Sequence, residues 1–97
     1  MKNFETVYVA LPEPPESTLK EINDKITDVV KKHNGKIQKV DNWGTKKLGY
    51  HIGNHSKGNY VCVTYTAQGT VVPELQRTLQ LREDILRQLT ISLGKEE

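Results

Sequence analysis

Three groupings of side chains in this sequence have the residue types that chemistry requires. His51 and His55 stand four apart, a spacing that on a helix would turn two imidazoles toward one metal ion. Here they fall across a strand-and-turn segment, and no third ligand lies nearby, so no metal is expected and no cofactor is implied. Cys62 is the sole cysteine. It lies in a run of β-branched residues with no sign of thiolate activation and reads as a small buried hydrophobe. A lone cysteine excludes an internal disulfide and fits a reducing compartment. No nucleophile with a base and an orienting partner can be drawn, so no catalytic residue is assigned and an enzyme is not expected.

The third grouping is basic and aromatic. Asp41 to Tyr65 holds three lysines, two histidines, four glycines and four of the chain's five Trp and Tyr residues, with Asp41 as its only acid. The net charge is just +2, yet residues 1–35 carry five basic and six acidic side chains, and residues 66–97 carry four and five. The excess therefore comes from Lys36, Lys39, Lys46, Lys47 and Lys57. Such a cluster attracts phosphate or acidic partners. Lysines on edge strands also keep sheets from pairing with one another, and the charge count alone leaves both readings open.

The elements that must position this cluster can be read from periodicity. Phe4 to Leu11 is aromatic and β-branched and stops at "LPEPPES", which predicts a first strand. Thr18 and Glu21 have capping-box spacing, and Leu19, Ile22, Ile26, Val29 and Val30 share one helical face. Lys31, Lys32 and His33 suit that helix's carboxyl end, and Gly35 is placed to terminate it. Lys36 to Ile52 reads as a long strand, kinked or bulged at Gly44, "GNHSKG" as a turn, and Asn59 to Thr66 as the returning strand. Thr70 can cap a second helix with Pro73 in its first turn and Val71, Val72, Leu75 and Leu79 on its apolar face. Ile85 to Leu93 reads as a last strand, although "ILRQL" could also extend a helix. The order βαββαβ predicts an α+β, ferredoxin-like fold, a four-stranded antiparallel sheet with two helices on one face. The 97 residues are one domain's worth, so residues 1–97 are taken as a single domain. No apolar run approaches the roughly 18 residues that span a bilayer, and the amino terminus lacks a signal or transit pattern. The expected location is cytoplasmic.

The first strand places Val7, Val9 and Leu11 on one side and Phe4, Thr6, Tyr8 and Ala10 on the other. The third strand divides Val61, Val63 and Tyr65 from Tyr60, Cys62 and Thr64 in the same way. Helices can cover only one of those faces, and a solvated face should be polar. The second face is therefore expected to be covered by bases stacked on exposed aromatics, by a protein partner or by a second copy of the chain, and the residues leave these three open. Acylphosphatase-like enzymes share this topology but bind phosphate in the loop after the first strand, where this chain has "PEPPES"; the Cys-x-x-Cys of metal carriers is also absent. An RNA-recognition-motif-like module that binds single-stranded RNA is an alternative, since "VYVAL" and "KGNYVCVTY" loosely resemble its first- and third-strand motifs. The frame is wrong, with Asn59 and Val61 in the aromatic places.

The central block "NWGTKKLGYHIGNHSKGNYV" resembles the bacterial small-subunit ribosomal protein six family. Trp43-Gly44, Lys46-Lys47-Leu48, Tyr50, Ile52 and Lys57-Gly58 to Tyr60 match that family's second strand, turn and third strand. "ELQRTLQLREDILRQLTISL" is similar to its second helix and last strand, with Leu79, Leu81, Arg82 and Arg87 at matching places, and Phe4 fits the first strand. The resemblance runs from about residue 2 to 93. Lysines stand where arginines are usual at 46 and 47, Gly49 where alanine is, and His51 where proline is. Lysine keeps the attraction for phosphate but lacks arginine's bidentate fork. The resemblance implies a structural constituent of the small ribosomal subunit, located on the ribosome in the cytoplasm. It would bind the central domain of the small-subunit rRNA together with ribosomal protein eighteen, with no membrane and no small-molecule substrate. Lys46, Lys47 and Lys57 are then the expected rRNA-binding residues, followed by Arg82, Arg87 and Lys2. Trp43 and Tyr50 are candidates for the RNA or partner surface.

Overall fold

Two strongly amphipathic helical segments and four β-rich segments leave the chain one economical solution, helices laid on one face of a sheet. The computed structural model describes Met1 to Ile52 and Asn54 to Lys95, with all side chains except those of Tyr50, Ile52 and Lys95. Its elements are β1 (Lys2–Ala10), α1 (Glu16–Lys32), β2 (Lys36–Ile52), β3 (His55–Ala67), α2 (Val71–Gln80) and β4 (Ile85–Lys95). The strands form one antiparallel sheet in the order β2-β3-β1-β4. This is the ferredoxin-like arrangement that the element order predicts. "ILRQL" lies in β4 and does not extend α2.

The core decides which sheet face the helices take. Phe4, Tyr8 and Ala10 of β1 and Val61, Val63 and Tyr65 of β3 cluster with Ile22, Ile26, Val29 and Val30 of α1 and with Val71, Leu75 and Leu79 of α2. Phe4 and Tyr65 stack with ring centroids 5.7 Å apart. Several polar atoms drawn into this layer are satisfied locally, while Gln88 Oε1, opposite Tyr8, is buried without a partner among the described residues. Thr6 Oγ1 lies 2.9 Å from both the Tyr65 hydroxyl and Thr90 Oγ1, and the Tyr8 hydroxyl donates to Asn23 Oδ1 at 2.8 Å. Tyr8 and Tyr65 are thus core residues, and burial pushes the ionisation of both hydroxyls upward.

Some boundaries differ from the expectation. Thr18 does not cap α1; the helix starts at Glu16, with Pro15 at the cap (φ −59°) and its carbonyl accepting from Thr18 N and Leu19 N. Proline has its φ already set and no N–H to leave unpaired, so the first turn closes earlier than a hydroxyl cap would predict. At the other end Asn34 takes the left-handed conformation (φ 61°), not Gly35. Gly35 is needed for close approach instead. A Cβ there would collide with the Thr66 carbonyl oxygen and lie 2.7 Å from Ala67 Cβ. Thr70 occupies the α2 cap position, but its hydroxyl meets His33 Nδ1 at 2.9 Å rather than its own helix. β3 starts earlier than expected, at His55 within "GNHSKG", where it faces Ile52 at the end of β2.

Candidate nucleic-acid interface

The basic segment occupies a hairpin that outruns the sheet. Ala10, the last residue of β1, faces Asn59 of β3. Beyond that level β2 and β3 pair only with each other, through Lys46–Gly58 and Lys47–Lys57 and on to Ile52–His55. The bulge expected at Gly44 is present: Asn42 faces Val61 and Gly44 faces Tyr60, so Trp43 is the additional residue. Gly44 adopts φ 82°, which a side chain would resist. Asn42 Oδ1 holds the bulge by accepting from the Gly44 N–H at 2.9 Å and from Asn59 Nδ2 at 3.1 Å. Asn59 itself is only 4% exposed.

That one residue changes which side chains share a face. In an unbroken strand Trp43 would be followed by Thr45 and Lys47 on the same side. After the bulge it is followed by Lys46 and Leu48. Lys46 faces Gly58, where an added Cβ would meet Val9 and Leu48, so both Lys46 and Leu48 lie toward the helix-free face. Lys47 and Lys57, which face one another, lie toward the opposite side. The adjacent lysines expected to act together therefore point in opposite directions. Among the described residues neither Lys47 nor Lys57 has an acidic partner.

Trp43 is held firmly at the β2 edge. Its indole N–H donates to Asp41 Oδ2 at 3.2 Å, and Lys46 Nζ lies over the ring, 5.5 Å from its centroid. Lys39 Nζ stands 4.0 Å from the same Asp41 oxygen. The ring remains 43% exposed. The Tyr50 side chain lies outside the described residues.

The helix-free face is apolar where an ordinary solvated face would alternate. Val7, Val9, Leu48, Tyr60, Arg87 and Leu89 surround an open hollow of about 300 Å³. Leu89 is 58% exposed and Ile91 44%. Arg87, opposite Val9 in the β1–β4 register, places a cation at this hollow. Cys62 belongs to the same face; its thiol donates to Glu5 Oε1 at 3.0 Å and is pushed up to about 11 by burial and then by that carboxylate. The thiolate is disfavoured, consistent with the inert role read from sequence. Among the described residues no cluster of three or more His, Cys, Asp and Glu could hold a metal ion.

Two expected contacts sit elsewhere. Arg82, in the turn before β4, donates from Nε and Nη2 to the two Asp84 carboxylate oxygens at 2.9 and 2.8 Å, and from Nη1 to Glu21 of α1 at 3.1 Å. These charge-assisted bonds hold the Asp84 carboxyl below its ordinary range and raise Arg82's pKa further. Asp84 O also accepts from the Leu11 N–H at 3.0 Å. Arg82 is thus the centre of a clamp between α1 and the β4 approach. Lys2 is exposed at the Ala67 end of β1, the far end of the sheet from the hairpin. Sequence reasoning missed Asn42, Asn59 and Asp41 as the residues that fix the bulge and the indole. The signal was present in "DNWG", since an Asn two residues before a glycine can accept that glycine's N–H.

A four-stranded antiparallel sheet with two helices on one face, a projecting lysine hairpin and an apolar free face defines a small α+β binding module. Comparisons with known proteins agree. The family model for ribosomal protein S6 matches residues 3–92. The small ribosomal subunit protein bS6 of Clostridioides difficile is 38% identical over 91 residues, covering 94% of this chain and 98% of that protein. Its counterpart in Bifidobacterium longum is 36% identical, covering 94% of each. That of Desulforapulum autotrophicum is 34% identical over 99% of this chain, which spans 62% of that relative's length. The crystal structure of 30S ribosomal protein S6 from Thermotoga maritima has the same fold, with a TM-score of 0.83 over 94% of this chain and 86% of that one, at 23% identity. The chain belongs to the ribosomal protein S6 family. It is a small-subunit ribosomal protein of the cytoplasm, in a family of structural constituents rather than enzymes.

Proposed function

We propose that this protein binds the central domain of the small-subunit rRNA together with ribosomal protein eighteen, as the family resemblance implies. The observation that carries the reading is the Lys47–Lys57 pair. Like charges directly across an antiparallel ladder are destabilising. A hairpin that keeps such a pair, with no acid beside it and beyond the end of β1, is suited to a polyanion that both lysines can meet. Phosphate contacts of this kind gain affinity by releasing counterions. Lys47 and Lys57 would take phosphates from one side of the hairpin and Lys46 from the other. Arg87 serves at the rim of the hollow, and the apolar face formed by Val7, Val9, Leu48, Tyr60 and Leu89 takes ribosomal protein eighteen. Lys2 would reach RNA only where the RNA extends along the whole sheet. Arg82 holds the loop beside Asp84 and Glu21.

The alternative, an RNA-recognition-motif-like reader of single strands, is disfavoured by geometry. That mode needs first-strand aromatics on the open face, and Tyr8 is buried under the helices with its hydroxyl bonded to Asn23. The test is titration of the protein into a central-domain small-subunit RNA fragment, with and without ribosomal protein eighteen. Tight binding only with the partner supports the proposal. Equal binding without it, above all to unstructured RNA, would overturn the proposed partnership, and no binding in either case would overturn the RNA assignment.

A further inference from the structure

We infer that Trp43 is a stacking platform for one unpaired RNA base, with Lys46 beside it for the adjoining phosphate. The inference rests on the rRNA-binding reading and adds to it a ligand class that phosphate contacts alone do not require.

The aromatic side chains are distributed unevenly. Phe4, Tyr8 and Tyr65 are buried in the helix-covered layer, and Tyr60 is half-buried at the hollow. Among the described aromatic side chains Trp43 alone is exposed. Exposure by itself is ordinary; its fixation is what points to a ligand. The Asn42 and Gly44 contacts lock the bulge, Asp41 satisfies the indole N–H, and Lys46 covers one side of the ring. With the N–H already bonded and Lys46 over one side, the indole's remaining exposed surface is what a planar partner can meet. A ring immobilised in advance loses little entropy when a planar partner settles on it.

The surroundings choose the partner's chemistry. Lys46 lies over the ring and Lys39 stands beside the Asp41 carboxylate that holds the indole N–H, so the ligand is planar and carries negative charge close to its plane. A nucleotide meets both conditions. Bases within a duplex hide their faces, so the base must be unpaired, from a loop, a bulge or a strand end. The contact tolerates any of the bases, because each presents a π-face. This is one platform at the hairpin edge, not the sheet-wide stacking of the alternative rejected above.

Trp43 is the only tryptophan in the chain, which makes the test direct. Fluorotryptophan incorporated into this protein alone would be observed by fluorine NMR during titration with the central-domain RNA fragment and unlabelled ribosomal protein eighteen. Binding would be followed in parallel by anisotropy of a labelled RNA. The expected result is saturable binding with an upfield ring-current displacement of the single resonance. Trp43→Leu should then weaken binding by about 5- to 150-fold, the range that loss of one base–aromatic stack implies. Trp43→Phe, which keeps a ring, should retain most of the affinity. Saturable binding with an unmoved resonance, or a Trp43→Leu variant that folds and binds as the parent does, would overturn the stacking inference and leave the rRNA reading standing. Absence of any binding would overturn both.

Discussion

Removing charge from the hairpin should make the protein more stable and a poorer RNA ligand at the same time. Lys47 and Lys57 face one another across the β2–β3 ladder, and neither has an acidic partner among the described residues. Opposed like charges cost about 0.2–1 kcal/mol, and exposure to solvent keeps this pair near the lower end. Lys57→Gln should therefore raise the thermal midpoint by about 1–3 °C, since 1 kcal/mol moves a domain of this size by roughly 4–8 °C. Binding should change in the opposite sense. Each phosphate contact contributes about 0.7–0.9 to the slope of log K against log salt. The double variant Lys47→Gln, Lys57→Gln should flatten that slope by about 1.4–1.8. Between about 50 and 200 mM salt its affinity would fall roughly tenfold less than the parent's. Differential scanning calorimetry and a salt series of RNA titrations with ribosomal protein eighteen present measure the two effects. A lowered midpoint would refute the repulsion, and an unaltered slope would refute the phosphate assignment.

The Arg82–Asp84 bond holds the Asp84 carboxyl below its ordinary value of 3.8, so its stabilisation is complete above that pH and is lost as pH falls through the lower folded value. Arg82→Ala should cost about 1–3 kcal/mol in urea unfolding at neutral pH. The variant's stability should also depend less on pH below about 4; an unchanged acid dependence would show that the clamp is not the source. Gly58→Ala should destabilise by about 1–3 kcal/mol, because its Cβ would collide with Val9 and lie 3.2 Å from the Ala10 carbonyl oxygen. Gly49→Ala, with nothing within 4 Å of the new methyl, should be near neutral by the same urea assay. The Cys62 thiol, pushed up to about 11, should react slowly with a disulfide reagent at pH 8 and much faster as the pH approaches 11; rapid labelling at pH 8 would contradict its burial.

How much of this was legible depended on whether the signal was local. The helical stripe of Ile22, Ile26, Val29 and Val30 and the Pro-rich stop after β1 carry their meaning within a few residues, and both elements lie where periodicity puts them. The covered sheet face was not readable. Val7 and Val9 are as apolar as Phe4 and Tyr8, and only packing against α1 and α2 distinguishes the two sets. The bulge was foreseen at Gly44, but its effect on facing was not. "KK" at 46 and 47 reads as one patch until the extra residue assigns each lysine to its own side. Arg82 shows the reach of a nonlocal partner. Its pairing with Asp84 two residues on is visible in sequence, whereas Glu21 lies 61 residues away and arrives only through the fold.

Because β1 ends at Ala10, the outer hairpin is a cantilever, anchored at Asn59 and supported beyond that level by its own ladder. The root of that beam is where Asn59 and Gly58 meet β1 and where Asn59 bonds Asn42 across the ladder. Change at the tip and change at the root are thus separate matters. Lengthening or recharging the tip alters what the protein can reach while the core keeps its packing, whereas a single methyl at the root disturbs the whole sheet.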